Sequence, residues 1–212
     1  EVSNDSTDRD SSFSFRIGVF SSVSYLAIPR VIGAFHREHS LVDLRLRASS
    51  SGSAELADAV RRGRLDLSLY GLPAATAPDL AVHRLATTPY AVIVATDHRF
   101  ASRAGVALRD LADERFVDAP VGFGNRDVLD AALSARGVVR DVRAEVTETN
   151  SIPVFVANGL GIALLPELLI PPSEGVTVVP LKERITWEFN VVTRISTGEA
   201  TAALLEQLLA AY

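Results

Sequence analysis

Strand-like and helical segments alternate over residues 13–70, and this alternation constrains the fold more than any other feature of the sequence. Phe13, Phe15, Ile17 and Val19 recur at every second position, which is the periodicity of a strand. The segments "VDLRLRA" and "RLDLSLYG" show the same strand-like alternation farther along the chain, and each follows a helical segment. The order strand, helix, strand, helix, strand predicts a parallel sheet joined by right-handed crossovers.

The two intervening segments have the pattern of amphipathic helices. The first is predicted over residues 24–39, where Pro29 is tolerable only in the first helical turn. Its apolar stripe has the spacing of one helical face and consists of Ile28, Val31, Ile32 and Phe35. In the second helix Leu56 and Val60 lie one turn apart, and Gly63 is a plausible stop.

A second α/β unit follows the loop "LPAATAPD". The segments "PYAVIVAT", "RFVDAP", "RAEVTET" and "IALLP" are typical of strands, whereas "VLDAALSARG" and "IPVFVANG" are typical of helices. "WEFNVVTR" and "ATAALLEQLLAAY" add a last strand and helix. Hinge-like connections are predicted near Thr88 and Pro89 and at residues 183–187. We predict one lobe from residues 13–88 and 187–212, a second from residues 89–186, and a linker or disordered tail at residues 1–12.

Composition excludes several classes of function. The 212 residues contain no cysteine, which rules out disulfide frameworks, thiolate metal sites and cysteine nucleophiles. The net charge is −5 without a dense Lys/Arg run, which argues against nonspecific nucleic-acid binding. No apolar run reaches the roughly 18 residues of a membrane span, so we expect no membrane association. The chain also has no methionine, so we expect it to be processed or a fragment.

Three segments together resemble the effector-binding domain of LysR-type transcriptional regulators. They are "FRIGVFSSVSYLAIPRVIGAFHREH", "RRGRLDLSLYG" and "VANGLGIALLP", in the family's order and at similar spacing. The resemblance covers about residues 13–212. It implies two Rossmann-like lobes joined by two crossover strands, as in type 2 periplasmic-binding proteins, closing on a small-molecule effector.

The resemblance also implies partners and a cellular location. This chain looks like the sensor half of a regulator, and DNA would be bound only through an N-terminal winged helix-turn-helix that the sequence lacks. Family members pair their effector domains into homodimers, and full-length chains form tetramers in the cytoplasm. The resemblance implies no cofactor and no catalysis.

Four loops rich in Ser, Thr, Asn or Gly are candidates for the effector site, because helix N-termini there present unpaired N–H groups. They are residues 20–24, 49–53, 122–125 and 148–152. The resemblance and the loops together predict contacts from Ser21, Ser22, Ser50, Ser51, Ser53, Tyr70, Gly71, Phe123, Gly124, Asn125, Thr149 and Asn150. Ordinary helix capping explains any one of these serines or asparagines as well as ligand contact does. Gly71 is likewise explained by the turn before Pro73.

Other chemistries fit the sequence poorly. "SSSGS" lacks the lysine of a phosphate-binding loop and the second glycine of a nucleophile elbow. His36 and His39 lie three apart on a helix with no third metal ligand nearby, so a solvated helix end is favoured. His83 and His98 are predicted in exposed loops, without a role.

Two functions besides effector sensing are open at this point. A solute-binding protein of a transporter shares the fold, and a secretion signal upstream would favour it. An enzyme such as a dehydratase would need an acid or base in the cleft, for which the loops offer mainly Glu148 and Asp127.

Overall fold

The computed structural model describes residues 14–20, 26–49 and 51–212. The predicted linker at residues 1–12 lies outside these ranges. The strands are Ser14–Phe20 (β1), Asp43–Ser49 (β2), Leu67–Tyr70 (β3), Ala81–Ala95 (β4), Arg115–Asp118 (β5), Asp141–Glu145 (β6), Ala163–Pro166 (β7), Val176–Pro180 (β8) and Thr186–Thr193 (β9). The helices are Ile28–Glu38 (α1), Ser53–Arg61 (α2), Gly124–Ser134 (α3), Ile152–Ala157 (α4) and Glu199–Ala210 (α5).

The first part of the chain folds as its alternation predicts. Strand β1 pairs in parallel with both β2 and β3, with α1 and α2 as the connections. The predicted stripe on α1 is its buried face, and Pro29 lies in its first turn. The helix begins at Ile28 rather than at residue 24.

The main sheet has the strand order β2-β1-β3-β9-β4-β7, with β8 also paired to β4. Strand β4 changes partner along its length, because residues 81–89 pair with β9 and residues 90–95 pair with β7 and β8. Thr88 lies opposite Trp187 and Pro89 opposite Thr186. The two predicted connections therefore run side by side, and the predicted mixed α/β architecture is confirmed.

The prediction of a loop at His83 was wrong, and strand β8 was missed. Residues 81–88 are strand rather than loop, so His83 is a half-buried strand residue, and burial lowers the pKa of its imidazole. The alternation there breaks at a bulge between Arg84 and Ala86, which hides the strand periodicity. Strand β8 is a five-residue segment that the sequence analysis did not predict.

The glycines of "VANGLGIALLP" produce the turn between α4 and β7. Gly161 has φ +151°, and a Cβ atom there would lie 2.3 Å from the backbone oxygen of Arg115. Only glycine allows β7 to approach β5 this closely.

Asp66 joins three parts of the sheet around the start of β3. Its carboxylate accepts hydrogen bonds from the backbone and side chain of Arg16 on β1 and from Arg194 after β9. Arg194 also donates to the backbone oxygen of Leu65 at 3.1 Å. Burial by itself would raise the pKa of Asp66, but the bonds from Arg16 and Arg194 hold it below its ordinary value of 3.8.

We predict that Phe35→Ala lowers the free energy of unfolding by about 3–5 kcal/mol, because the ring is fully buried on α1 and its loss leaves a cavity. Leu41→Ala is the control, since Leu41 is 96% exposed and its loss should cost about 0.5 kcal/mol or less. Urea denaturation measures both values. Equal losses would contradict this description of the core.

We also predict that Asp66→Asn destabilises the protein at neutral pH and has little effect in acid. The lowered pKa means that the ionised carboxylate stabilises the fold above the unfolded pKa near 3.8. That contribution is lost as the pH falls through the lower folded-state pKa. Unfolding of both proteins in urea from pH 7 to pH 3 measures the difference, which should shrink steadily below pH 4 or so. A difference independent of pH would contradict the role of the charge.

Candidate functional site

A small cavity lies where β1, β2 and β3 end and where α2 and α3 begin. This is the edge of the sheet at which open α/β folds bind ligands. The volume of the cavity is about 30 Å³, which is room for one or two water molecules. Its described lining residues are Phe20, Ser49, Gly52, Ser53, Gly71, Phe123, Gly124, Asn125, Thr149, Leu169 and Trp187.

The wall from β2 and α2 is organised by a serine at the end of the strand. Ser49 donates its hydroxyl to a carboxylate oxygen of Glu55, 2.5 Å away in the first turn of α2, and accepts the backbone N–H of Ser51. Arg47 forms an ion pair with the same Glu55. The hydroxyl of Ser49 therefore holds the loop and is already committed to partners within the protein.

A chain of hydrogen bonds connects this wall to the crossover strands. Ser53 accepts the backbone N–H of Gly71 at 2.9 Å, and the indole N–H of Trp187 donates to the backbone oxygen of Gly71 at 2.7 Å. Trp187 is buried and stacks on Phe189, with ring centroids 5.7 Å apart. The loop after β3 is thus fixed between α2 and β9.

The opposite wall is the start of α3. The backbone N–H of Gly122 donates to the carboxylate of Asp127, and the phenol of Tyr90 donates to the backbone oxygen of Asn125 at 2.5 Å. Burial raises the pKa of Tyr90 well above its ordinary value, so the phenol keeps the proton that it donates. These bonds hold Phe123 to Asn125 at the cavity.

Ion pairs around the buried Arg140 and Asp118 support the same helix from behind. Arg140 donates to Asp118 at 2.6 Å and also pairs with Asp130 of α3. Arg126 donates to Asp130 and to the backbone oxygen of Ala119 at 2.9 Å. The loop between β5 and α3 is therefore fixed by charge-assisted bonds, which are stronger than neutral ones.

The two walls approach each other through glycine backbone. A Cβ atom on Gly52, which has φ +82°, would lie 2.6 Å from the backbone oxygen of Gly122. A Cβ atom on Gly124 would lie 2.7 Å from the backbone oxygen of Gly71. No side chain larger than hydrogen fits between these segments in this arrangement.

Three buried polar side chains of the lining keep hydrogen-bonding capacity. Among the described residues, no hydrogen bond reaches the side chains of Asn125 or Thr149, and the hydroxyl hydrogen of Ser53 has no acceptor. The exposed fractions of Ser53, Thr149 and Asn125 are only 1%, 4% and 7%. The remaining hydrogen-bonding capacity of these three side chains is available to a ligand.

The structure brings together six of the twelve predicted contacts: Ser53, Gly71, Phe123, Gly124, Asn125 and Thr149. Ser51 is exposed, and the Tyr70 hydroxyl pairs with that of Thr76. Asn150 is not among the lining residues, and its buried side-chain oxygen has no partner in the described structure. Ser21, Ser22 and Ser50 lie outside the described residues.

Five lining residues were not among the predicted contacts: Phe20, Ser49, Gly52, Leu169 and Trp187. Of these, Phe20, Ser49 and Gly52 lie within the candidate loops at residues 20–24 and 49–53, although they were not chosen as contacts. Trp187, the single tryptophan of the sequence, stands in a predicted connection between lobes. For Leu169 the sequence carried no such signal.

The residues considered for catalysis or metal binding lie elsewhere. Asp127 caps the start of α3, and Glu148 is exposed. His39 directly follows α1, and its ring packs on that of Phe35 with centroids 4.5 Å apart. Within the described ranges there is no group of three or more His, Cys, Asp or Glu residues that could hold a metal ion. Those ranges also contain no helix with the length and apolar character of a membrane span.

A comparison with protein families identifies the chain. The model of the LysR substrate binding domain matches residues 9–212. The chain belongs to the LysR substrate-binding domain family. The resemblance seen in the sequence is therefore confirmed over nearly the whole chain.

Relatives of this LysR domain are transcriptional regulators. It is 30% identical over 152 residues to the RuBisCO operon transcriptional regulator of Allochromatium vinosum, covering 72% of this chain and 49% of that protein. It is 32% identical over 152 residues to the transcriptional dual regulator GltC of Bacillus subtilis, covering 72% and 50%. The chain thus spans about half the length of the curated relatives it matches.

Solved structures share the fold. The regulatory domain of CcmR from Synechocystis PCC6803, in complex with 2-PG, has a TM-score of 0.81 and 22% identity, covering 93% of this chain and 96% of that one. The effector binding domain of QuiR in complex with shikimate has a TM-score of 0.79 and 17% identity, covering 94% and 97%.

We predict that Gly124→Ala changes the environment of Trp187. The new methyl group cannot fit against the backbone of Gly71, so it must displace the carbonyl that accepts the indole N–H. Since the chain has one tryptophan, intrinsic fluorescence reports this directly, and we expect a red shift with stronger acrylamide quenching.

The matched control for this substitution is Gly33→Ala. A Cβ atom there meets only the guanidinium of Arg37 at 3.6 Å, an ordinary contact, so the spectrum should not change. An unchanged spectrum for Gly124→Ala as well would show that the two walls do not meet as described.

Proposed function

We propose that this LysR domain senses a small-molecule effector bound in the cavity between α2 and α3. The observation that carries the proposal is the set of three buried polar side chains, Ser53, Asn125 and Thr149, whose hydrogen-bonding capacity is unused in a cavity at the carboxyl edge of the sheet. A ligand whose polar atoms reach all three can form a hydrogen bond with each. Structural neighbours bound to 2-PG and shikimate support a small molecule as the partner.

Effector binding requires the cavity to open. A volume of about 30 Å³ admits no metabolite, so the wall at Gly52 and Gly71 must move away from the wall at Gly122 and Gly124. The lobes proposed for this motion are residues 13–88 with 187–212 and residues 89–186. An effector shifts such an equilibrium only by its differential affinity for the two arrangements.

The predicted contacts outside the described cavity belong to the same proposal. Ser21 and Ser22 follow Phe20 directly, and Ser50 lies between Ser49 and Ser51, so all three are close in sequence to the lining. Asn150 adjoins Thr149 and has an unpaired buried oxygen. We propose that these residues also contact the bound effector.

In the whole protein, we propose that effector binding controls transcription. Several relatives are longer than this chain, which aligns with only 56% and 64% of two of them, and are described as HTH-type regulators; this supports an N-terminal DNA-binding domain in the complete protein. The complete protein would act in the cytoplasm as a homodimer or tetramer, with no catalytic role for this domain. A transporter's solute-binding protein is not favoured, because the curated relatives are regulators.

Reading the gene upstream of residue 1 tests the role of the whole protein. We expect a helix-turn-helix sequence in the same frame, as in the relatives. A secretion signal directly upstream would instead indicate the solute-binding function.

The ligand site is tested with Thr149→Val, which removes a hydroxyl and keeps the shape. We expect a metabolite library to contain a compound that raises the melting temperature and changes Trp187 fluorescence. The variant should bind that compound roughly fivefold more weakly, the equivalent of about 1 kcal/mol for one hydrogen bond.

Thr201→Val provides the matched control, because Thr201 is 5% exposed and lies on α5 away from the cavity. It should bind the compound like the unmodified chain. Equal binding by both variants would place the effector elsewhere on the protein.

A further inference from the structure

Both walls of the cavity are tied to the place where β4 and β9 cross between the two halves of the sheet. Trp187 of β9 donates its indole N–H to the backbone oxygen of Gly71 at 2.7 Å, which holds the loop after β3. Tyr90 of β4 donates its phenol to the backbone oxygen of Asn125 at 2.5 Å, which holds the first turn of α3. Each crossing strand therefore carries one side chain that is bonded to one wall.

Tyr90 lies at the residue where β4 changes partner. Its backbone N–H donates to the backbone oxygen of Ile185, just before β9, at 3.0 Å, and in the sheet it pairs with Pro166 of β7. The residue is only 2% exposed. The lobe rotation proposed above has to take place at or beside Tyr90, because β4 leaves one pairing and enters the other here.

The other polar contacts that hold the start of α3 lead away from the crossing. Arg126 donates to the backbone oxygen of Ala119, in the loop after β5. The buried pair of Arg140 and Asp118 connects the end of β5 with the segment before β6. Between the described residues of β4 or β9 and those of α3, the bond from Tyr90 is the only hydrogen bond or ion pair.

We propose that Tyr90 is a positioning residue of the effector site, through which the start of α3 moves together with the crossing of β4 when the lobes rotate. The proposal rests on the sensing function given above and adds the residue that links the crossing to one wall. A buried hydroxyl and a buried carbonyl cannot separate much beyond 3.2 Å without losing their bond, and no water replaces it. The wall that carries Asn125 therefore follows the crossing and does not move by itself.

Amide hydrogen exchange tests whether Tyr90 holds α3. Tyr90→Phe keeps the buried ring and removes only the hydroxyl. We expect the amides of residues 127–130 to exchange roughly fivefold faster than in the unmodified chain, the change expected for the loss of one hydrogen bond. The amides of α5 should keep their rates, because that helix packs on the other half of the sheet.

Tyr70→Phe is the matched control. Tyr70 is 1% exposed, and its hydroxyl likewise forms a 2.5 Å hydrogen bond, with Thr76 on a turn outside the cavity lining. Each variant loses one hydroxyl bond from a buried tyrosine, so their urea unfolding midpoints should fall by similar amounts. Only Tyr90→Phe should accelerate exchange in α3. Equal acceleration along the whole chain would show a general loss of stability and would overturn the positioning role.

Energy transfer from Trp187 tests the link between α3 and the crossing. The chain has one tryptophan and no cysteine, so Val121→Cys, at a 72% exposed position before α3, takes a single thiol-linked acceptor dye. Time-resolved fluorescence then gives the distribution of distances between Trp187 and the dye. Adding Tyr90→Phe should broaden this distribution, because α3 can move independently of the crossing, whereas adding Tyr70→Phe should not. The same distribution in all three labelled chains would overturn the proposal.

Both measurements use the chain without a ligand, so their outcome is separate from that of the sensing function. If the library experiment finds no compound but Tyr90→Phe frees α3, the link to the crossing stands and the sensing function fails. If a compound binds through Thr149 but Tyr90→Phe changes neither exchange nor distances, the sensing function stands and the positioning role of Tyr90 is wrong.

Discussion

The antiparallel pairing of β4 with β9 is the constraint on which the rest of the structure depends. Both strands pass between the two halves of the sheet, and their register places Thr88 opposite Trp187. Trp187 then reaches Gly71 and fixes the loop after β3 with one indole hydrogen bond. A shift of this register by one residue would turn Trp187 to the other face of the sheet and remove a wall of the cavity.

Backbone contact between glycines gives the site its present closed form. Gly52 faces Gly122, and Gly124 faces Gly71, so the two walls touch without side chains between them. The surrounding hydrogen bonds and ion pairs hold each wall rigid, whereas no hydrogen bond between the described residues crosses the glycine contact itself. Under the proposed sensing function, such a site would separate along this one seam and keep its polar groups in place on either side.

The sequence predicted the first part of the fold better than the second. The α1 stripe and the parallel strands β1 to β3 are local patterns with clean periodicity, and the structure confirms them. The first half of β4 was missed because its bulge at Arg84 interrupts the alternation, and its partner β9 lies about 100 residues away. Local pattern carries no information on such a pairing.

Serine, threonine, asparagine and glycine mark helix starts at strand ends. The sequence by itself therefore determined which loops could carry the candidate site. Only the tertiary structure decided which of them face one cavity. Ser53 and Ser51 are two residues apart, yet one is buried against Gly71 and the other is exposed. Which serine is buried depends on where α2 begins and on the distant Trp187. Burial is set by the residues that pack around a side chain, and the local sequence does not specify them.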